Sequence, residues 1–168
     1  MSISMYAASV PVFKQLLGGL SAVLAKGEAY AEELHADAEV LLTARLYPNM
    51  FNLARQVLVA TEFSKSCAAR LAGLDVPKYE GVEGGFAEAQ GRIAAVLAFL
   101  DTLTPEQING SEDKEITYMV ATTTRRYLGQ PYLLHAVMPQ FAFHVTTAYD
   151  ILRNNGVKLQ KPDYLHVY

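Results

Sequence analysis

The sequence predicts an all-α domain, a four-helix bundle interrupted before its last long helix by a small β-hairpin or extended excursion. Three observations predict it. Apolar residues recur every three or four positions along four long stretches, the period of an amphipathic helix. Gly73 and Gly156 stand just past the ends of two of those stretches, where helices stop, and Asn109-Gly110 ends the short turn that follows a third. One stretch alone, residues 115–128, drops the helical period for β-branched and aromatic residues.

In the first long helix, Tyr6, Val10, Phe13, Leu17, Leu20 and Leu24 mark an apolar stripe from Ile3 to about Glu33, with a kink expected near Pro11. Lys26, Glu28, Glu32 and Glu33 solvate its later turns. A break is expected from His35 to Glu39, then a short packed connector from Val40 to Leu46, and a turn at Tyr47-Pro48-Asn49. The second long helix spans roughly Met50 to Ala72 and is closed by Gly73. Its core stripe is Leu53, Val57, Ala60, Cys67 and Leu71, with Phe63 beside them. Arg55, Glu62, Lys65 and Ser66 form the face expected to be solvated. Gln56 falls inside the apolar stripe, and a buried amide needs partners, because leaving it unpaired costs about 1–3 kcal/mol.

Asp75 to Gly85 reads as a surface crossover rich in Gly and charge. The third long helix follows from Phe86 to about Leu103, with Phe86, Ile93, Val96, Leu97 and Leu100 inward. Thr104-Pro105-Glu106-Gln107 has the pattern of a capping box for one further turn, which Asn109-Gly110 ends. The excursion then pairs residues 115–121 with part of 122–128. Gln130 to Val137 leads as a short helix into the last one, where Pro139 suits the first turn and Gly156 the left-handed stop. On a wheel of 100° per residue, Phe141, Val145, Ala148, Tyr149 and Leu152 share one side of that helix. Thr146, Asp150, Arg153 and Asn154 share the other. His144 lies at the edge of the apolar stripe, and Gln140 precedes it by one turn on the same flank. The tail from Val157 to Tyr168, with Pro162 and two aromatics, is expected to pack along the bundle. No repeat or linker divides the chain, so residues 1–168 are read as one domain.

Composition excludes several classes. The chain of 168 residues is 51% hydrophobic and 18% charged, a globular balance. A formal net charge of −3 without basic runs argues against a nucleic-acid surface. Every long apolar stretch meets a charge before about 18 residues, too soon to span a bilayer. The N-terminus lacks a basic signal region, so a cytoplasmic location is expected. Cys67 is the single cysteine, which excludes an internal disulfide and a thiolate metal cluster. Inside an apolar stripe it reads as a small core residue, because a reactive thiolate needs an electropositive, partly exposed setting.

The usual nucleotide-binding, nucleophile-elbow and zinc-protease motifs are absent. Gly81, Gly84 and Gly85 follow no strand, so they do not read as a phosphate loop. His144 remains the one chemical clue. It suits a hydrogen-bonded core histidine, a general base or substrate contact, or a metal ligand. A metal needs at least three convergent ligands, and no carboxylate lies in the stripes; amides are poor transition-metal ligands. His135 and His166 lie in less regular segments, as surface histidines would.

The run from Ala44 to Gln56, Ala-Arg-Leu-Tyr-Pro-Asn-Met-Phe-Asn-Leu-Ala-Arg-Gln, resembles the signature of domain of unknown function 1993. The blocks from Arg70 to Pro77, Tyr132 to Leu134, Phe143 to Arg153 and Asn155 to Val157 resemble its later blocks. That family is similar to the DinB/YfiT-like superfamily of four-helix bundles, in an up-down-down-up arrangement, many of which are regarded as metal-dependent enzymes, including thiol transferases. The resemblance implies a metal triad of one His on the second helix and two, spaced i and i+4, on the last. Only His144 matches a ligand. Gln56 and Gln140 stand at about the other two positions. Asn49 stands where the family usually has Asp, removing a carboxylate near the mouth of the bundle, and Gln160-Lys161-Pro162 replaces the usual Gly-Lys.

Three expectations follow. One is a bundle that binds a small molecule between the second and last helices, through Gln56, Gln140, His144 and Asn52, with no cofactor and no complete metal triad. The second is a metal-dependent transferase or hydrolase that recruits His144 with His135 or a loop carboxylate. The third is a structural or interaction protein that has lost its site. Gln56 and His144 are expected to meet across the bundle. Phe143, on the polar side of its helix, points to a homodimer; neither nucleic acid nor membrane is expected as a partner.

Overall fold

The computed structural model describes residues 3–79 and 85–166. In chain order these form α1 (Val10–Glu33), α2 (Ala38–Thr43), α3 (Leu53–Ala72), α4 (Phe86–Asp101), α5 (Pro105–Ile108), β1 (Glu115–Val120), β2 (Thr123–Leu128) and α6 (Gly129–Pro131). A wider helical turn over Tyr132–Val137, bonded i to i+5, then runs into α7 (Met138–Asn154), and α8 (Lys161–Leu165) closes the described chain.

Side-chain pairs fix the directions of the four long helices. Ser21 on α1 bonds Gln90 on α4, and Lys14 on α1 pairs with Asp101 on α4, so these two run antiparallel. Phe13 meets Phe141 edge to face at 5.0 Å, and Gly27 lies against Leu152, so α1 and α7 run parallel. Gln56 pairs with His144 and Arg70 with Tyr132, so α3 opposes α7. The result is the up-down-down-up bundle that the resemblance implies. Its core is the apolar stripe of each helix: Val10, Phe13, Leu17 and Leu20; Leu53, Val57 and Ala60; Ile93, Val96 and Leu100; Phe141, Val145 and Leu152 are all buried. Among the described residues no helix is long and apolar enough to cross a membrane.

Pro11 does not kink a helix begun at Ile3. It stands in the first turn of α1, where its missing N–H costs nothing, and residues 5–9 form turns in front of it. The second long helix starts at Leu53 rather than Met50, because the Asn52 side chain accepts the Arg55 N–H and sets the boundary. It ends as expected at Gly73, with φ +74°. The third ends at Asp101, two residues before Leu103. Leu97 and Tyr149 are half-buried rather than core. The hairpin is antiparallel and closes through Ala121 and Thr122. It is anchored by Ile116, which is buried, and by Tyr118, whose ring lies 4.5 Å from the Arg70 guanidinium. The tail crosses α1 at Gly19, where a Cβ would stand 2.1 Å from the Tyr164 carbonyl oxygen, so only glycine admits the approach. Residues 80–84 of the expected crossover, with Gly81 and Gly84, lie outside the described residues, as do Met1, Ser2, Val167 and Tyr168.

Lys65 overturns its expected solvation. It is 2% exposed, its Nζ donates to Glu62 at 2.7 Å and sits 4.9 Å from the centre of the Tyr79 ring. Arg92 of α4, also buried, donates to Thr61 at 2.7 Å, to the Tyr79 carbonyl at 3.3 Å and to Glu62. The segment ending at Tyr79 covers that face of α3, and a helical wheel cannot see a loop.

Candidate functional site

The site begins with the entry to α3. Asn52 caps the helix, its backbone carbonyl accepts the Gln56 N–H at 2.9 Å, and Gln56 thereby points into the bundle with 1% exposure. The Gln56 amide nitrogen donates to the Phe51 carbonyl at 3.0 Å. A carbonyl only accepts, so this bond fixes which end of the amide faces inward. Gln56 Oε1 is the end turned to α7, and His144 Nδ1 lies 2.6 Å from it. Oε1 also only accepts, so Nδ1 carries a proton and donates.

The imidazole is half-buried, and burial holds its pKa below the ordinary value. At neutral pH it is therefore uncharged, with Nδ1 protonated and Nε2 left as a lone pair. Nε2 has no partner among the described residues. The buried side-chain nitrogen or oxygen atom left unpartnered among them is Ser111 Oγ, so Nε2 is open to solvent. Around the ring stand three phenylalanines: Phe63 and Phe51 near-parallel at 5.8 and 6.3 Å, and Phe143 edge-on at 5.2 Å. Phe51 and Phe143 are 48% and 53% exposed. The arrangement is an aromatic ledge at the end of the bundle where α3 begins, with one neutral acceptor in it.

Two of the four expected site residues meet here and two do not. Gln140 is exposed and its amide donates to the Ala136 carbonyl one turn back on its own helical path, the nearest acceptor for a side chain at the solvent edge. The Asn52 oxygen is used in capping. Phe51 was not read from the sequence as part of the site. Its signal was available: an apolar residue directly before a helix cap commonly packs back on the helix.

The donor set does not fit the metal triad that the resemblance implies. Among the described residues no three His, Cys, Asp or Glu side chains stand together as a metal site would need. His144 is the one strong donor, and Gln56 uses both ends of its amide in hydrogen bonds. His135 is exposed on the wide turn. Cys67 is buried, and burial pushes its thiol far above the usual range, so it is inert. Surface clefts of about 380 Å³ (Glu62, Lys65, Val76, Pro77, Lys78, Tyr79) and about 200 Å³ (Thr146, Tyr149, Asp150, Lys161, Tyr164) lie elsewhere.

The family model of a domain of unknown function, DUF1993, matches residues 5–165. Among solved structures, the chain is similar to a DinB family member protein from Shewanella denitrificans, with 35% identity, 97% of this chain and 92% of that one covered, and a TM-score of 0.87. No functionally curated protein matches.

Proposed function

The chain belongs to the DUF1993 family, and on that premise we propose that it binds a small molecule at the His144 ledge without a metal. One observation carries the reading. Gln56 spends both ends of its amide, and its contact with Nδ1 fixes the neutral imidazole in one tautomer that leaves an acceptor unused on a ring flanked by three phenylalanines. The ligand that fits has an aromatic or apolar body, to cover Phe51, Phe63 and Phe143, and a hydroxyl or similar donor for Nε2. The same nitrogen is competent to take a proton near pH 7.

Phenol is the simplest probe. Titrated into labelled protein at pH 8, it is expected to move the ring resonances of His144, Phe51, Phe63 and Phe143. The His144→Phe variant keeps the aromatic surface and should bind it several-fold more weakly. No movement at these rings up to tens of millimolar phenol would remove the reading.

Self-association is a second reading, favoured by the run of exposed apolar side chains at Leu46, Tyr47, Phe51 and Phe143, between 40% and 63% exposed. A monomer mass from light scattering at tens of micromolar would exclude a homodimer.

A further inference from the structure

The sequence that builds the ledge is lopsided in charge. The protein carries 17 acidic residues against 14 basic ones, yet residues 40–61 and 138–149 contain no Asp or Glu. These two stretches supply Phe51, Gln56, Phe143 and His144. They hold two cations, Arg45 and Arg55. The next acid in sequence is Glu62, directly before Phe63, and it is taken up by Lys65 and Arg92 on the α4 side of α3. Arg45 is committed to the loop, donating to the Pro48 and Met50 carbonyls at 3.4 and 3.3 Å. Arg55 is not committed. It is exposed, and among the described residues it has no carboxylate within 4 Å. Its guanidinium lies 5.4 Å from the centre of the Phe51 ring, itself 6.3 Å from the His144 ring. A free cation thus stands one aromatic ring away from a free acceptor, at the positive end of the α3 dipole.

From this juxtaposition we infer that the ligand class of the site is an aromatic anion that also carries a hydroxyl, with Arg55 as the residue that selects the negative charge. The inference rests on the His144 ledge being a ligand site, as proposed above. Phe51, Phe63 and Phe143 receive the ring, Nε2 of His144 accepts from the hydroxyl, and the Arg55 guanidinium meets the carboxylate or other anionic group. Guanidinium suits this role because its planar donors match a carboxylate and stack on an aromatic face at the same time. An aromatic cation would meet the wrong charge, and a neutral aromatic would leave Arg55 unused.

The test compares 4-hydroxybenzoate with its uncharged analogue 4-hydroxybenzamide, titrated at pH 8 where His144 is neutral, with affinities read from the ring shifts of His144 and Phe51. The anion is expected to bind about fivefold more tightly, the scale of one exposed ion pair. That preference should vanish in Arg55→Gln, persist in Arg55→Lys and weaken in high salt, while binding of the amide stays unchanged throughout. Arg55 is exposed, so these variants are expected to fold as the parent does, and circular dichroism checks this. Equal affinity for the two probes, or a preference that survives in Arg55→Gln, would overturn the inference and leave the ledge standing as a site for neutral aromatics. Failure of both probes to move the rings would overturn the inference and the ligand-site reading together.

Discussion

Two polar clusters are buried on α3 about two turns apart, and they differ in one respect. The cluster of Thr61, Glu62, Lys65, Arg92 and Tyr79 uses its groups on one another: Glu62 receives both cations, Thr61 and the Tyr79 carbonyl receive Arg92, and the Tyr79 ring covers Lys65. The Gln56–His144 pair is fixed as firmly but stops short, leaving Nε2 without a partner among the described residues. A network that spends its donors and acceptors internally holds elements together, here α3, α4 and the segment ending at Tyr79. A network that fixes a side chain and leaves one of its atoms free presents that atom to something else.

The comparison can be broken most forcefully at Glu62. Glu62→Ala leaves Lys65 buried with, among the described residues, only the Tyr79 ring, and removes one partner of Arg92. Fully buried pairs broken this way cost about 3–5 kcal/mol; with Glu62 44% exposed, about 2–3 kcal/mol is expected. Urea denaturation should show this loss, while phenol binding at the ledge is unchanged. Equal losses in stability and binding would mean that the two clusters are one.

Gln56→Leu comes next. It strips a partner from His144 Nδ1 and from the Phe51 carbonyl, at a cost of about 1–2 kcal/mol in urea denaturation. It also frees the imidazole to change tautomer, so phenol binding should weaken although Nε2 itself is untouched. His144→Phe should cost about 1–2 kcal/mol, since the buried Gln56 Oε1 loses its donor while aromatic packing is kept. Its effect on binding is additional. A large loss of stability in this variant would make His144 a packing residue.

The smallest effect is on pH. Burial lowers the folded pKa of His144 below its unfolded value of 6.5. Between the two values the unfolded chain binds more protons, so the contribution of His144 to stability is complete above 6.5 and is lost as the pH falls through the lowered value. The loss should be shallow and should disappear in His144→Phe. A denaturation midpoint with the same pH slope in both proteins would contradict it.

How much of this was legible in the sequence follows from what a one-dimensional pattern encodes. Helical period and glycine stops encode local geometry, and α1, α3, α4 and α7 follow from them, while the hairpin follows from the loss of that period to β-branched and aromatic residues. The meeting of Gln56 and His144 was legible because both interrupt apolar stripes, and a buried polar group must find a partner. Lys65 misled because its cover, Tyr79, arrives from a loop after α3. Gln140 misled because one turn of a helix is wide enough for two residues on the same flank to face core and solvent. Phe51 and Arg55 were missed because what matters in them is proximity across the start of a helix, which periodicity does not carry.

The central claim is that Gln56 fixes the proton of the neutral His144 on Nδ1 and so leaves the free electron pair on Nε2. Long-range proton–nitrogen correlation spectra of the imidazole at pH 8 test it most directly. The account predicts one static tautomer, protonated at Nδ1 and bare at Nε2, that gives way to averaging between tautomers in Gln56→Leu. A proton found on Nε2, or tautomers already averaged in the parent protein, would contradict it.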